Sequence, residues 1–255
     1  MRFLQVWGTA GALALAATAF GAGDARAALL ASGGATGAVA SGNASNDLID
    51  DSTQGIFGAQ IFVTDLSRPL QFTFRGLEAG FRNAFGFDAD GDGDFFNDLS
   101  TVFFSETESP GENDTGLVNG SSFVLDISDL NLAFDDSVGG YLLPFAFATW
   151  EDSGGPGDEI DAGNLAENGD NAVNGRGSDV NFWASFGPTG SWGETGPTGD
   201  RLVLMFDDNG AGDDDDHDDF AVEIAVTPLP AAAWFLITAL TGLFGMRWLR
   251  RRNEV

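Results

Sequence analysis

Two stretches of this chain set carboxylates at spacings that suit a hard cation. The first is Asp88-Ala89-Asp90-Gly91-Asp92-Gly93-Asp94, with Asn97 and Asp98 behind it. Acids at alternating positions are able to curl around one ion, and Gly91 and Gly93 permit the positive φ that such a turn needs. Asp88, Asp90, Asp92, Gly93 and Asp94 match positions 1, 3, 5, 6 and 7 of an EF-hand-like loop. Position 12 falls on Leu99, where a bidentate Glu is expected, and Asp98 comes one place early. The expectation is an isolated Ca²⁺ turn among strands, and the alternative is a solvated acidic turn.

The second stretch is Asp207-Asp208-Asn209-Gly210-Ala211-Gly212, running through Asp213 to Asp216 into His217, Asp218 and Asp219. It joins two apolar segments, so it reads as the loop of a hairpin. Carboxylates this close repel one another. Ca²⁺ held by Asp207, Asp208, Asp214, Asp218 and Asp219 would relieve that repulsion, and solvated charge is again the alternative. His217 is the one histidine of the chain. Neither Gly-x-Ser-x-Gly nor His-Glu-x-x-His accompanies it, and no residue is assigned a catalytic role. Glycoside hydrolysis needs only two acids at the right separation, and the sequence singles out no such pair.

The elements that must position these acids read as strands. In Pro69 to Arg75, Leu70, Phe72 and Phe74 alternate with Gln71, Thr73 and Arg75, which puts the apolar side chains on one face. Further strands are expected at Ile56–Phe57, Gln60–Leu66, Phe81–Phe87, Thr101–Ser105, Ser122–Leu130, Leu142–Trp150, Val180–Phe186, Arg201–Phe206 and Phe220–Val226. Gly, Asp, Asn or Pro stands in nearly every interval. That pattern predicts an all-β domain, an antiparallel β-sandwich of jelly-roll-like type, over residues 56–226. The chain holds 23 Phe against one Tyr, and the excess reads as core. Trp150, Trp183 and Trp192 are candidates for stacking on a ligand, with core or loop packing as the alternative. Residues 152–179 and 187–199 read as Gly-rich loops, and the Ala/Gly/Ser-rich stretch within residues 28–55 reads as a flexible lead-in.

Charge narrows the partners. Of 39 acidic residues only Asp24 and Glu254 lie outside residues 28–227, which leaves 37 acids against five arginines, a balance of −32. Such a surface repels nucleic acid and anionic lipid. It attracts cations, or it keeps a protein hydrated in a salty habitat. The chain has no cysteine, so thiolate metal sites, thiol nucleophiles and disulfides are excluded.

Both ends carry addresses. Arg2, the apolar run Leu13 to Phe20 and the small-x-small triplet Ala25-Arg26-Ala27 make residues 1–27 a secretory signal peptide, with cleavage by signal peptidase expected after Ala27. At the other end, residues 227–255 hold Pro228-Leu229-Pro230-Ala231, an apolar run to Met246, and Arg247, Arg250, Arg251 and Arg252. Ala231 to Leu249 is 19 residues, about 28 Å as a helix, close to the roughly 30 Å hydrocarbon core of a membrane. The arginines place that end in the cytoplasm.

This tail resembles the sorting signal of exosortase substrates, of the Val-Pro-Leu-Pro-Ala type within the PEP-C-terminal class. Thr227 stands where that motif has Val, and Val226 lies one place earlier. The resemblance implies recognition and cutting by a membrane transpeptidase-like exosortase near the Pro-Leu-Pro-Ala segment. It also implies a membrane-anchored precursor, then the cell surface or exopolysaccharide matrix of a Gram-negative bacterium. The acidic hairpin loop is similar to one found just before that tail in other such substrates, Asp-x-Gly-Ala-Gly-Pro-Asp-Asp-Asn-His-Asp-Asp. Here Asp213 replaces Pro and Asp216 replaces Asn, and the matching domain is one of unknown function. The expectation is a non-enzymatic, Ca²⁺-stabilised surface or matrix protein. A Ca²⁺-dependent glycan-binding adhesin and a carbohydrate hydrolase are the alternatives.

Overall fold

The strand pattern read from the sequence folds into three antiparallel sheets. The structure, a computed structural model, describes residues 28–40, 45–79, 81–96, 101–105, 119–150, 164–171, 180–188, 190–193, 196–209 and 217–227. No α-helix occurs among them; one 3-10 turn covers Asn168–Asp170. The signal peptide, Asp98, Asp214 and the sorting tail after Thr227 lie outside the described residues.

The largest sheet has seven strands. Its order is β2 (Ala35–Ala38), β3 (Gln54–Phe57), β13 (Asn181–Phe186), β15 (Arg201–Asp207), β16 (Phe220–Val226), β5 (Leu70–Gly76) and β8 (Ser122–Leu125). A four-stranded sheet runs β12 (Leu165–Glu167), β11 (Phe145–Trp150), β6 (Arg82–Phe87) and β7 (Val102–Phe104). A five-stranded sheet runs β14 (Thr198–Gly199), β1 (Leu29–Ser32), β4 (Gln60–Val63), β10 (Gly140–Leu142) and β9 (Phe134–Asp135).

Period-two alternation decides which residues meet between the sheets. Phe72 and Phe74 of β5, Phe182 of β13, Phe206 of β15 and Phe220 of β16 share one buried core with Phe85, Phe87, Phe145 and Phe147 of the four-stranded sheet. The contact is direct: Phe147 stacks on Phe206 with ring centroids 5.0 Å apart and planes at 9°. Leu29, Ile61 and Val63 of the five-stranded sheet join the same core. The phenylalanine excess is thus core, as expected.

The opposite face of the seven-stranded sheet is covered as well. Trp183, Val203 and Met205 pack there with Val39, Leu48 and Ile49. The expected flexible lead-in is therefore a correction. It supplies β1, β2 and this cover, and the small residues Gly37 and Gly55 are what let β2 and β3 lie against Phe57 and Trp183. Glu223 on the same face of β16 is 1% exposed and pairs with Arg75 of β5 and Arg201 of β15. The expected strand from Leu142 to Trp150 is broken at Leu143 and Pro144, where proline has no N–H to give.

Polar side chains close the gaps between strands. Asn168 donates to the carbonyls of Ile61 and Leu143 and accepts from the Ile61 N–H. Asn171 does the same for Ala59 and Phe182. Part of the Gly-rich stretch 152–179 thus holds β12 and two buried clamps rather than plain loop. Among the described residues four Asp-x-Ser turns follow or separate strands: in each, the Ser N–H donates to an aspartate two residues back, at 2.9 Å for Asp50 and Asp65, 3.0 Å for Asp126 and 2.8 Å for Asp135.

Candidate metal sites

The first acidic turn follows β6 directly. β6 ends on Phe87, whose ring is held in the core, so Asp88 is fixed at the rim and only 8% exposed. Its N–H donates to Pro144 at 3.0 Å. The return limb folds back over β6: a Cβ on Gly86 would stand 2.1 Å from the Phe95 carbonyl oxygen, so only glycine fits there. Phe96 then packs edge-on against Trp150 with centroids 5.6 Å apart. The turn is pinned at both ends by aromatic packing.

Within it, Gly91 and Gly93 have φ of 77° and 87°, as the sequence requires. Their N–H groups donate to the two oxygens of Asp88 at 2.7 and 3.0 Å. The Asp94 N–H donates to Asp92 at 2.9 Å, and the Phe96 N–H to Asp94 at 3.0 Å. This winding brings one carboxylate oxygen each of Asp88, Asp90 and Asp92 within 4.8 Å of one another, with Asp88 buried and the other two exposed. Asp94 is not one of the converging three. The Asp92 N–H lowers the Asp90 pKa, yet desolvation, repulsion by Asp92, a side-chain hydrogen bond with Asp88 and repulsion by Asp88 outweigh it and leave Asp90 raised. Three carboxylates gathered at this distance fit a hard cation that takes oxygen ligands.

The second acidic stretch is organised differently. β15 and β16 form the expected hairpin, paired in register from Arg201↔Ala225 to Phe206↔Phe220. The described residues at its mouth are not a solvated loop: Asp207, Asp208, His217, Asp218 and Asp219 are all 4% exposed or less. Each is tied in by hydrogen bonds. Asp219 accepts from the Asp208 N–H at 2.7 Å, and Asp208 accepts from Asn83 Nδ2 at 2.7 Å. Asp218 accepts from the Asp47 N–H at 2.5 Å, and its own carbonyl accepts from the Glu78 N–H at 2.8 Å. Asp207 accepts from the Asn209 N–H at 3.1 Å. Among the described residues, these four aspartates do not gather three carboxylates around one point as the first turn does.

His217 adopts φ of 60°, the one positive φ outside glycine among the described residues. Its Nε2–H donates to Asn181 Oδ1 at 2.7 Å, its Nδ1 stands 4.0 Å from Asp207, and its ring meets Phe57 edge-on at 5.0 Å. It is a buried wedge under the hairpin.

Trp150 is 5% exposed and Trp183 is fully buried, so both pack in cores, and Trp192 is half-buried against the outer cluster. The clearest depression among the described residues, lined by Thr36, Gln54, Ser185 and Gly196, has room for about one water molecule. Sequence reasoning missed Asn83, Thr149, Asn168, Asn171 and Asn181. Asn83 carried a usable signal, since it shares the alternation face of Phe85 and Phe87. No family model matches the chain, and neither a curated protein nor a solved structure matches it.

Proposed function

We propose that this chain is an exported, non-enzymatic surface or exopolysaccharide-matrix protein whose β-sandwich is braced by Ca²⁺. The observation that carries the Ca²⁺ reading is the convergence of Asp88, Asp90 and Asp92 on a turn pinned by Phe87 and Phe96. Asp88 is held by backbone N–H groups, and two exposed acids stand beside it at a distance where their charges oppose each other. A cation entering there would replace repulsion by coordination and tie β6 to the return limb.

The finer fold is a two-layer sandwich of jelly-roll-like type, with the seven-stranded sheet as one layer. The Phe147–Phe206 stack and the shared phenylalanine core support that reading. Non-consecutive neighbours such as β16 beside β5 and β3 beside β13 are what such winding produces.

The address rests on the two ends of the sequence. Signal peptidase would act after Ala27, and an exosortase-type transpeptidase at Pro228-Leu229-Pro230-Ala231, with Arg250, Arg251 and Arg252 retained in the cytoplasm. The delivered part would carry the −32 balance, suited to Ca²⁺ and to a hydrated polysaccharide and unsuited to nucleic acid. A Ca²⁺-dependent adhesin remains the second reading. Burial of Trp150 and Trp183 takes away two of its three stacking residues.

The experiment is to tag the domain and the C-terminus separately in the producing cell. The proposal expects the domain tag at the surface or in the matrix without the C-terminal tag. Both tags remaining together in the inner membrane would contradict processing, and both in the cytoplasm would contradict export.

A further inference from the structure

The mouth of the β15–β16 hairpin faces a second set of oxygen atoms, carried by β6 and β11 of the four-stranded sheet. Asn83 and Thr149 stand directly opposite each other in the β6–β11 register. By alternation Asn83 shares its face with Phe85 and Phe87, and Thr149 shares its face with Phe145 and Phe147. Both therefore point between the layers. One step in from them, Phe147 stacks on Phe206 and packs against Phe220. One or two steps beyond those two rings come Asp208 and Asp219. At this end of the molecule the interlayer space thus changes from phenylalanine to oxygen. The opposing groups do meet: Asn83 Nδ2 donates to Asp208 Oδ2 at 2.7 Å and to the Asp219 carbonyl at 3.4 Å.

Two of these oxygens have nothing to bind. Asn83 is fully buried and Thr149 is 4% exposed, yet Asn83 Oδ1 and Thr149 Oγ1 have no hydrogen-bond partner. Buried polar atoms are almost always satisfied, and an exception calls for a bound ion, a water or a role. Two exceptions on side chains opposite each other in the register, with the buried Asp208 carboxylate and the Asp219 carbonyl beside Asn83 and the Asp219 carboxylate on the Asp208 N–H, point to one missing guest.

We propose that a Ca²⁺-class divalent cation is held between the layers here by the carboxylates of Asp208 and Asp219, the amide oxygen of Asn83 and the hydroxyl of Thr149. All four donors are oxygens, as this ion requires, and backbone carbonyls or water complete its shell. The Asn83 amide supplies a two-way contact. Without the cation its Nδ2 faces Asp208. Half a turn about the terminal side-chain torsion presents Oδ1 instead, and the ion's bonds to Oδ1 and to Asp208 replace the two that Nδ2 gives up. The ion would fasten the four-stranded sheet to the hairpin of the seven-stranded sheet. This site differs from the Asp88 turn in every ligand, and it stands or falls separately from it.

The test uses the full chain with Asp90→Ala/Asp92→Ala, which removes the turn, and measures ⁴⁵Ca²⁺ binding by equilibrium dialysis in high NaCl. One Ca²⁺ per chain should remain bound. Adding Thr149→Val, which keeps the shape and deletes only the hydroxyl, should weaken it at least about tenfold. Adding Asn83→Asp, which offers a carboxylate at the amide's place, should retain it. No bound Ca²⁺ in the Asp90→Ala/Asp92→Ala chain would overturn the proposal, and so would binding that Thr149→Val leaves unchanged. Thr149→Val in the chain with an intact turn reads the turn alone: a Ca²⁺ that survives Thr149→Val and is lost only when Asp90→Ala/Asp92→Ala is added belongs to the turn. A folded Thr149→Val chain that melts higher than the parent equally in EGTA and in Ca²⁺ would show a plain cavity oxygen and overturn the proposal as well.

Discussion

The Asp88 turn and the hairpin mouth are both dense in aspartate, yet they solve the problem of charge in opposite ways. In the turn, the acids come from seven consecutive residues, two of the three converging side chains face solvent, and short-range N–H donors wind the backbone. At the mouth, the acids are buried, and their partners come from Asp47, Glu78 and Asn83, far away in sequence. The turn is a local device added to a finished sheet. The mouth is part of how the sheets close. Charge density alone does not distinguish the two; burial and the reach of the hydrogen bonds do.

The comparison breaks most visibly at the mouth. Asp219→Ala removes the acceptor of the Asp208 N–H inside a region 4% exposed or less. Leaving a buried donor unsatisfied next to a charge costs about 2–3 kcal/mol, roughly 5–10 °C in melting temperature for a chain of this size. That loss should appear in EGTA as well as in Ca²⁺, and a melt unchanged by Asp219→Ala would place the mouth with the turn.

The next effect belongs to the turn and depends on the ion. Ca²⁺ at 100 times its Kd adds about 2.7 kcal/mol if it binds only the folded chain. Asp90→Ala/Asp92→Ala should abolish the part of the Ca²⁺-dependent rise that the turn supplies. In EGTA the same pair of changes should leave the melting temperature level or slightly higher, because exposed like charges are being removed. A drop in EGTA would mean that Asp90 and Asp92 support the fold through the chain itself.

Within the turn, Asp88 should part company with its neighbours. Asp88→Ala deletes the acceptor of two backbone N–H groups and should cost about 1–2 kcal/mol even without Ca²⁺. Equal effects of Asp88→Ala and Asp90→Ala in EGTA would remove the distinction between the buried anchor and the exposed pair.

The smallest effect lies in the Asp-x-Ser turns. In Asp50, Asp65, Asp126 and Asp135 the serine hydroxyl first, and the serine N–H second, hold the carboxyl below its ordinary 3.8. A depressed folded-state pKa contributes stability above the unfolded value that is lost as pH falls through the folded one. Stability from these turns is therefore present from about pH 4 upward and fades below it. Ser128→Ala should move the Asp126 titration upward toward 3.8, read by NMR, with little change in the melt. An unmoved Asp126 would discard the hydroxyl as the cause.

Much of this was legible in residue order, and the rest was not for physical reasons. β5 announces itself by strict apolar alternation, and β6, β13, β15 and β16 by apolar-rich stretches of six or seven residues. β1, β2, β9, β12 and β14 are two to four residues long, too short for a period to show. Gly91 and Gly93 were readable because a local turn carries its own requirements. Burial of Asp207, Asp208, His217, Asp218 and Asp219 was not, because it is made by Asn83, Asp47 and Glu78 from other elements. Asn83 and Thr149 break the apolar alternation on their strands, which is a visible sign of a polar patch inside the layers. Only the fold shows that the patch of one strand pair meets the acids of another.

On the proposed reading, Ca²⁺ braces the domain, and its acidity is more than an adaptation to salt. The most direct measurement is thermal melting of the full chain in EGTA and then in Ca²⁺, at low and at high NaCl. The account predicts a Ca²⁺-specific rise at both salt levels, reduced in the Asp90→Ala/Asp92→Ala chain. A melting temperature that climbs with NaCl and ignores Ca²⁺ would contradict it.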